Sequence, residues 1–579
     1  MNDFGQMSGL DEEFAAVRKF QADVEADPDT LDNWENLIKA CESLEGGLSR
    51  NSNPQALASC RDAYERLLAR FPLFFGYWKK YADTEFNIAG TESAEMVYER
   101  GVACNPHSVD LWAEYCRFKM DTCHDPDVVR ELFERAAALV GIDYAAHPFW
   151  DTYLEFEQRQ ECHAHAFAIL VRIIRIPMHQ YSRYYEKLRT LAHTLPVEDI
   201  VPADVLARFQ AESKSGSDAR PELEVERDVR AKIDAMYYDI FSVTAVETNK
   251  RWTFESEMGR PYFHTTELTH AQLNAWRGYL DLEEAEGDVE RIKFLYEKCN
   301  HICAYYEEFW FRYARWMSTQ AGKETELRHI YILASFCVPV SRPGIRMQWA
   351  YFEESQGNID AARDIHAGIL AKLPDCIEVI LSWAHLERRQ NGIEAAIQVL
   401  KDQIDAPTVD LYTKAALVAE WAILLWKVQG SAEQARAVFL KNSQWYGSSR
   451  TFWEKWFEFE LEQPMHSQAQ DDATQRVKHV FEEIRAKSRL SPSVKRDLGI
   501  IFLNFLVQRG GKDAMKEFAA VDRAISGSSS VAALSTDGQN GAGATELDEA
   551  SKQKAEARLI FFYDHEAPIP GAQGPADYN

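Results

Sequence analysis

The sequence predicts an all-α chain built as a helical-repeat solenoid, with two repeat blocks joined by a central linker and a long helix. Three observations predict it. First, a helix signature recurs in which a large aromatic is followed three residues later by a second, then often by Phe-Glu or Leu-Glu, as in Trp150, Tyr153 and Phe156-Glu157. Second, a return helix follows each time, with a small residue and then a ring or aliphatic ahead of Glu-Arg or Glu-Lys. Third, the spacing holds: Trp78 to Trp112 is 34 residues, Trp112 to Trp150 is 38, and Trp276 to Trp310 is again 34. A two-helix period of this length marks a solenoid, in which a unit buries its apolar faces on its neighbours.

In chain order, residues 1–30 read as a short lead-in. The N-terminal block spans 31–195. Its first pair starts at Trp34 and returns through Tyr64-Glu65-Arg66. Trp78 and Tyr81 then precede Tyr98-Glu99-Arg100, Trp112 and Tyr115 precede Phe133-Glu134-Arg135, and Trp150 and Tyr153 precede a return ending at Pro177. Prolines 72, 106, 177 and 374 close return helices, because proline lacks an amide hydrogen and clashes with the preceding turn. A fifth first-helix carries Tyr181, Tyr184 and Tyr185. Residues 196–270 break the period. Pro196, Pro202, Ser213 to Ser217 and Pro221 predict an exposed, mobile connection, followed by a long helix from near Glu224 toward Lys250. The stretch from Phe254 to His270 is neither periodic nor simple linker.

The C-terminal block spans 271–525. It opens with Trp276 and Tyr279, then Trp310 and Tyr313. Two later units lack the leading tryptophan but keep Trp349 and Trp383 in the second slot. A unit with Trp453 and Trp456 follows, then helices near Lys495–Gln508 and Lys512–Ile525. Gly357 and Gly392 sit where one helix hands over to the next, a place that favours the left-handed conformation. Residues 526–579 read as a largely disordered tail, rich in Ser, Gly, Ala and Asp, with Ala555 to Tyr563 as a short docking helix.

The repeated rings are core rather than an aromatic cage or base-stacking platform, because residues i and i+3 share one helix face and the same slot is aromatic in nearly every unit. That core set is Trp78, Tyr81, Trp112, Tyr115, Trp150, Tyr153, Trp276, Tyr279, Trp310, Tyr313, Trp349, Trp383, Trp453 and Trp456. Function is then expected in residues that do not repeat. Arg260-Pro261-Tyr262-Phe263-His264 is the candidate: Pro261 fixes the backbone, Tyr262 and Phe263 plug the gap between blocks, and Arg260 and His264 tie the junction or meet a partner.

The net charge of −27 opposes gripping a phosphate backbone and suits a scaffold that meets proteins. The ten cysteines form no CxxC pair and read as reduced, packed thiols. Cys299 and Cys303 lie on one helix face near His301, but no metal is expected there, nor at His163 and His165. No secretory leader or membrane span is expected. Phosphate-loop, HExxH and GxSxG patterns are absent, so neither catalysis nor a cofactor is predicted. The abundant carboxylates read as solvated repeat faces.

The Trp-Tyr-Phe-Glu helix followed by Ala-Tyr-Glu-Arg resembles the HAT repeat, a TPR-like unit of RNA-processing scaffolds. Phe74 to Tyr81, Val109 to Tyr115, and Arg260 to His264 followed by Leu273, Trp276 and Tyr279 resemble the pre-mRNA processing factor 39 family across roughly residues 30–510. That resemblance implies a nuclear, non-catalytic scaffold of the U1 small nuclear ribonucleoprotein, acting in 5′ splice-site recognition and early spliceosome assembly. It also implies U1 particle proteins and other splicing factors as partners, mainly indirect RNA contact, and a homodimer or paralogue heterodimer through C-terminal repeats. Two alternatives stand beside it: a HAT scaffold of mRNA 3′-end cleavage and polyadenylation, and a solenoid that binds RNA directly along a basic groove.

Overall fold

In the computed structural model, residues 3–214, 222–464 and 470–526 are described; the segments around Ser217 and Pro221 and the tail beyond 526, including Ala555 to Tyr563, lie outside them. Among the described residues every regular element is a helix. A helix Asp3–Ala26 leads into four pairs: Leu31–Glu42 with Pro54–Arg70, Phe75–Ile88 with Thr91–Cys104, Val109–Thr122 with Pro126–Val140, and His147–Arg159 with His163–Ile173. Tyr181–Thr194, Val197–Ile200, Ala203–Lys214 and the long Glu222–Met258 follow. Six more pairs begin at His270, Glu307, Gly344, Ile377, Leu411 and Arg450, and Pro492–Arg509 and Ala514–Ser526 come last. Two compact units divide between Trp349 and Ala350, so the helices from His270 to Cys337 pack within the first unit.

Local chemistry sets the helix ends. Asn53, Ser108, Asp125, Asp288, Ser431 and Ser449 accept a bond from a first-turn amide, which satisfies an otherwise orphan donor. Gly357 and Gly392 adopt φ of 80° and 90° at the handovers where the sequence places them.

The repeat motif is a set of bonds between successive units. Tyr64 stacks on Tyr81 at 4.8 Å, Tyr98 on Tyr115 at 5.0 Å, Phe133 on Tyr153 at 4.4 Å and Tyr296 on Tyr313 at 4.9 Å. Each pairs a return-helix ring with the second-slot ring of the next unit, a geometry that adds to simple area burial. The hydroxyls of Tyr81, Tyr115, Tyr153 and Tyr313 donate to Glu65, Glu99, Glu134 and Glu297. Arg100, Arg135 and Arg172 of the following return helices bond Glu65, Glu99 and Glu134. The same guanidiniums lie over Trp78, Trp112 and Trp150 at 5.4, 5.1 and 5.3 Å. The Tyr-Glu-Arg triplet is thus a ladder linking each unit to its neighbours.

A second ladder is more deeply buried. Arg61, Arg130, Arg363 and Arg436 on return helices bond Glu85, Glu157, Glu387 and Glu460 on the next first helix at 2.7, 2.8, 2.6 and 2.5 Å. All four carboxylates are buried, with Glu157 fully so. This corrects the reading of repeat carboxylates as solvated: a buried charge persists only when paired and hydrogen-bonded, and the bidentate fork of arginine fits a carboxylate.

The described part of the break in the sequence period is largely helical. Val197–Ile200 and Ala203–Lys214 are helical, and Ile200, Val201, Leu206 and Phe209 are buried. Here Pro196 and Pro202 stand just ahead of helices, where a missing amide hydrogen costs nothing, so they start helices rather than interrupt them. Tyr185 stacks on Phe241 of the long helix at 4.3 Å, and Thr244 Oγ1 donates to the Ile174 carbonyl. Nor does the long helix stop near Lys250. Its end carries a hidden return-helix signature: Arg251 bonds Glu283 at 2.7 Å, Phe254 stacks on Tyr279 at 5.7 Å, and Tyr279 bonds Glu255. Arg251, Phe254 and Glu255 occupy the slots of Arg61, Tyr64 and Glu65, so the unit beginning at His270 is supported like any other.

Candidate functional site

The junction segment runs from Gly259 to Thr269, between the long helix and the capping box of Thr269 and Gln272. Gly259 turns the chain with φ of 61°. Arg260 donates to Thr266 Oγ1 at 2.8 Å and to the Thr266 carbonyl at 3.2 Å, and His264 Nδ1 accepts from the Thr266 amide at 3.0 Å. Arg260 and His264 therefore brace the loop from within. Phe263 is buried, edge-on to Phe74 at 5.5 Å and to Tyr305 at 5.1 Å. Tyr262 meets Phe75 at 6.3 Å yet stays 44% exposed, and Pro261 is exposed. Of the two rings expected to plug the junction, Phe263 is inserted and Tyr262 forms the rim.

Two concavities flank this loop. One, of about 350 Å³, is lined by Phe75, Tyr77, Tyr262, His264, Glu35 and Lys39. Tyr77 donates to Glu35 at 2.9 Å, and that bond holds the Glu35 carboxyl below its usual value. The other, of about 230 Å³, lies toward the helices and is lined by Tyr144, Trp252, Glu255, Arg260, Trp276 and Lys298. Beneath it Lys298 reaches Asp143 at 3.0 Å and Glu255 at 3.5 Å. Burial pulls against the Lys298 charge, but Asp143 and Glu255 together hold its ammonium above the usual value. Burial, reinforced by Asp143, raises the Glu255 carboxyl.

Of the core set, Trp78, Tyr81, Trp112, Tyr115, Trp150, Tyr153, Trp276, Tyr279, Trp310, Tyr313, Trp453 and Trp456 are buried. Trp349 and Trp383 are half-buried, which departs from the core reading. For Trp383 the reason is visible: Ala350 and Ala362 occupy the buried centre with Leu386, and its ring packs from the edge. Among the later C-terminal rings, Trp445 is 68% exposed, whereas Trp453 is fully buried.

Among the described residues, Glu157, Cys162 and His165 bring potential metal-ligand atoms within 4.8 Å of one another. Glu157 is already engaged by Arg130 through two bonds, so the grouping is a branch of the buried ladder. Cys299 and Cys303 are buried, and burial drives the Cys299 thiol well above its usual value, away from the thiolate a metal needs. No helix among the described residues is long and apolar enough to cross a membrane.

Comparison with known proteins decides the family. A model described as the PRP39 N-terminal HAT repeat matches residues 18–190, and one described as the PRP39 C-terminal HAT repeat matches residues 249–389. Pre-mRNA-processing factor 39 of Schizosaccharomyces pombe is 46% identical over 531 residues, covering 89% of this chain and 87% of that protein. The chain belongs to the pre-mRNA-processing factor 39 family. Pre-mRNA-processing factor 39 of Homo sapiens is 31% identical, covering 73% of this chain and 65% of its own length. The crystal structure of CstF-77 shares the fold, with a TM-score of 0.52 at 13% identity over 87% of this chain and 92% of that one. The second family match begins at residue 249, just ahead of Arg251, where the return-helix signature hidden in the long helix begins. Sequence reading had the signal for it in Arg251-Trp252-Thr253-Phe254-Glu255, which repeats the spacing of Arg61-Asp62-Ala63-Tyr64-Glu65.

Proposed function

We propose that this member of the pre-mRNA-processing factor 39 family is a non-catalytic, nuclear scaffold of the U1 small nuclear ribonucleoprotein, acting in 5′ splice-site recognition at the start of spliceosome assembly. The observation that carries the reading is near full-length likeness to Pre-mRNA-processing factor 39 of Schizosaccharomyces pombe. The charge of −27 supports partnership through proteins rather than phosphate. So does the engagement of return-helix arginines by carboxylates, since a guanidinium bonded to a buried carboxylate has fewer donors left for RNA. The likeness to CstF-77, at 13% identity, supports the shared fold and does not favour a 3′-end role. Self-association or pairing with a paralogue through the C-terminal helices completes the proposal, supported by exposed Ile500, Ile501, Val507 and Met515.

Affinity purification of the tagged full chain from nuclear extract, with identification of bound proteins and small RNAs, tests the scaffold role. U1 small nuclear RNA and its proteins are expected. Recovery of cleavage and polyadenylation factors without U1 components overturns it.

A further inference from the structure

The lead tryptophans follow a rule that one of them breaks. The indole N–H groups of Trp34, Trp78, Trp112, Trp310 and Trp453 each donate to the main-chain carbonyl six residues earlier, at 2.9, 2.8, 3.0, 2.9 and 3.3 Å. Trp150 donates to the Gly141 carbonyl at 3.0 Å. In all six, the helix begins three residues before the tryptophan, so a loop carbonyl is left to accept. The helix of Trp276 begins at His270, six residues before it. The carbonyl six residues back is now inside the helix, where it serves the backbone ladder. Trp276 is 1% exposed, and its Nε1 has no acceptor among the described residues.

A second donor is orphaned beside it. Arg260 spends both terminal nitrogens on Thr266, and its buried Nε has no partner among the described residues. Both side chains line the 230 Å³ cavity, together with Tyr144, His179 and the 53%-exposed Trp252. Trp421 and Trp456 also have indole nitrogens without acceptors, but neither lines this cavity. An unmet buried donor costs about as much as a lost hydrogen bond, so the arrangement asks for an oxygen from outside the described residues.

The charge around the cavity selects which oxygen. Lys298 and Arg260 are matched by Asp143 and Glu255, so the site is neutral in sum and carries carboxylates that oppose a phosphate. At the six other lead tryptophans named above the indole takes a main-chain carbonyl. We propose that this cavity is a docking site for an extended segment of a partner polypeptide, whose main-chain carbonyl accepts from Trp276 Nε1 and Arg260 Nε while an adjoining planar or apolar side chain packs on Trp252. This deepens the scaffold reading and rests on it.

The test uses the full chain carrying 5-fluorotryptophan and fluorine NMR, with Trp276→Phe assigning the Trp276 line. The probe is N-acetylphenylalaninamide, a neutral ring with amide carbonyls; uridine and uridine monophosphate are the comparison. The expected result is a saturable shift of the Trp276 line at millimolar probe, the affinity range of so small a ligand. Trp252→Ala, at an exposed position, should weaken binding about tenfold or more without altering the melting temperature. Absence of a saturable shift overturns the proposal, as does a shift produced by uridine but not by the amide, or one unchanged in Trp252→Ala. Since affinity purification reads the whole chain, the scaffold role can stand while this site fails.

Discussion

Lys298 and Asp143 lie 155 positions apart in sequence and form a buried ion pair of 3.0 Å. Lys298 occupies the slot that arginine fills in Tyr98-Glu99-Arg100. There the arginine bonds the preceding return-helix carboxylate and covers a tryptophan; here the shorter lysine reaches Glu255 and also Asp143, from the loop before Trp150. Lys298→Met strands two carboxylates in a buried site and should cost about 3–5 kcal/mol. The double variant Asp143→Leu with Lys298→Met should recover only part of that loss, because it removes one stranded carboxylate and leaves Glu255 without its lysine. Urea denaturation of the four members of the cycle measures the coupling.

The Arg–Glu ladder predicts an asymmetry. Glu157 is fully buried, whereas its partner Arg130 keeps 24% of its side chain exposed. Removing the arginine leaves a carboxylate that cannot reach water; removing the carboxylate leaves a guanidinium that can. Arg130→Met should therefore destabilise by about 3–5 kcal/mol, and Glu157→Gln by about 1–2 kcal/mol, the cost of weakened hydrogen bonds. Thermal melting of the two variants should rank them in that order.

Acid should loosen the second unit through the same ladder. Hydrogen bonds from Arg363 hold the Glu387 carboxyl below its usual value of 4.5, and those from Arg389 do the same for Glu354. A depressed carboxylate pKa means that the unfolded chain takes up protons first as pH falls. The stabilisation is thus complete above pH 4.5 and is lost as pH drops through the folded value. Arg363→Gln should lower stability at pH 7 and flatten its decline below pH 4.5. Melting curves taken from pH 7 downward check both the direction and the window.

What sequence could reveal here follows from what repeats. The lead and second-slot rings recur at fixed spacing, so their burial at Trp78, Trp112 and Trp150 was legible from period alone. The carboxylates recur equally well but were read by polarity, and polarity does not report a partner on another helix. Glu85 and Arg61 are 24 residues apart, a distance that pattern reading within one helix cannot bridge. The signature of Arg251, Phe254 and Glu255 was hidden because it ends a 37-residue helix instead of forming its own short one. At the junction, Phe263 and Tyr262 are neighbours of similar character; which one inserts depends on where Phe74 and Tyr305 stand, and that is set by helices far away in sequence.

The helix Pro492–Arg509 supplies the last prediction. Its inward side buries Leu498, Phe502, Phe505 and Leu506, while Ile500, Ile501 and Val507 are exposed. Ile500, Ile501 and Val507 interrupt an outer face otherwise formed by exposed Arg496, Asp497, Asn504 and Gln508, and exposed apolar side chains grouped in this way mark a surface suited to association. Ile500 and Val507 are seven residues apart and share one face. Ile500→Asp with Val507→Lys should therefore halve the mass measured by light scattering at micromolar concentration. The melting temperature of the chain itself should hardly change, since exposed substitutions away from special features stay within about 0.5 kcal/mol. A wild-type chain that scatters as a monomer refutes self-association, and a variant that keeps the doubled mass moves the interface away from this helix.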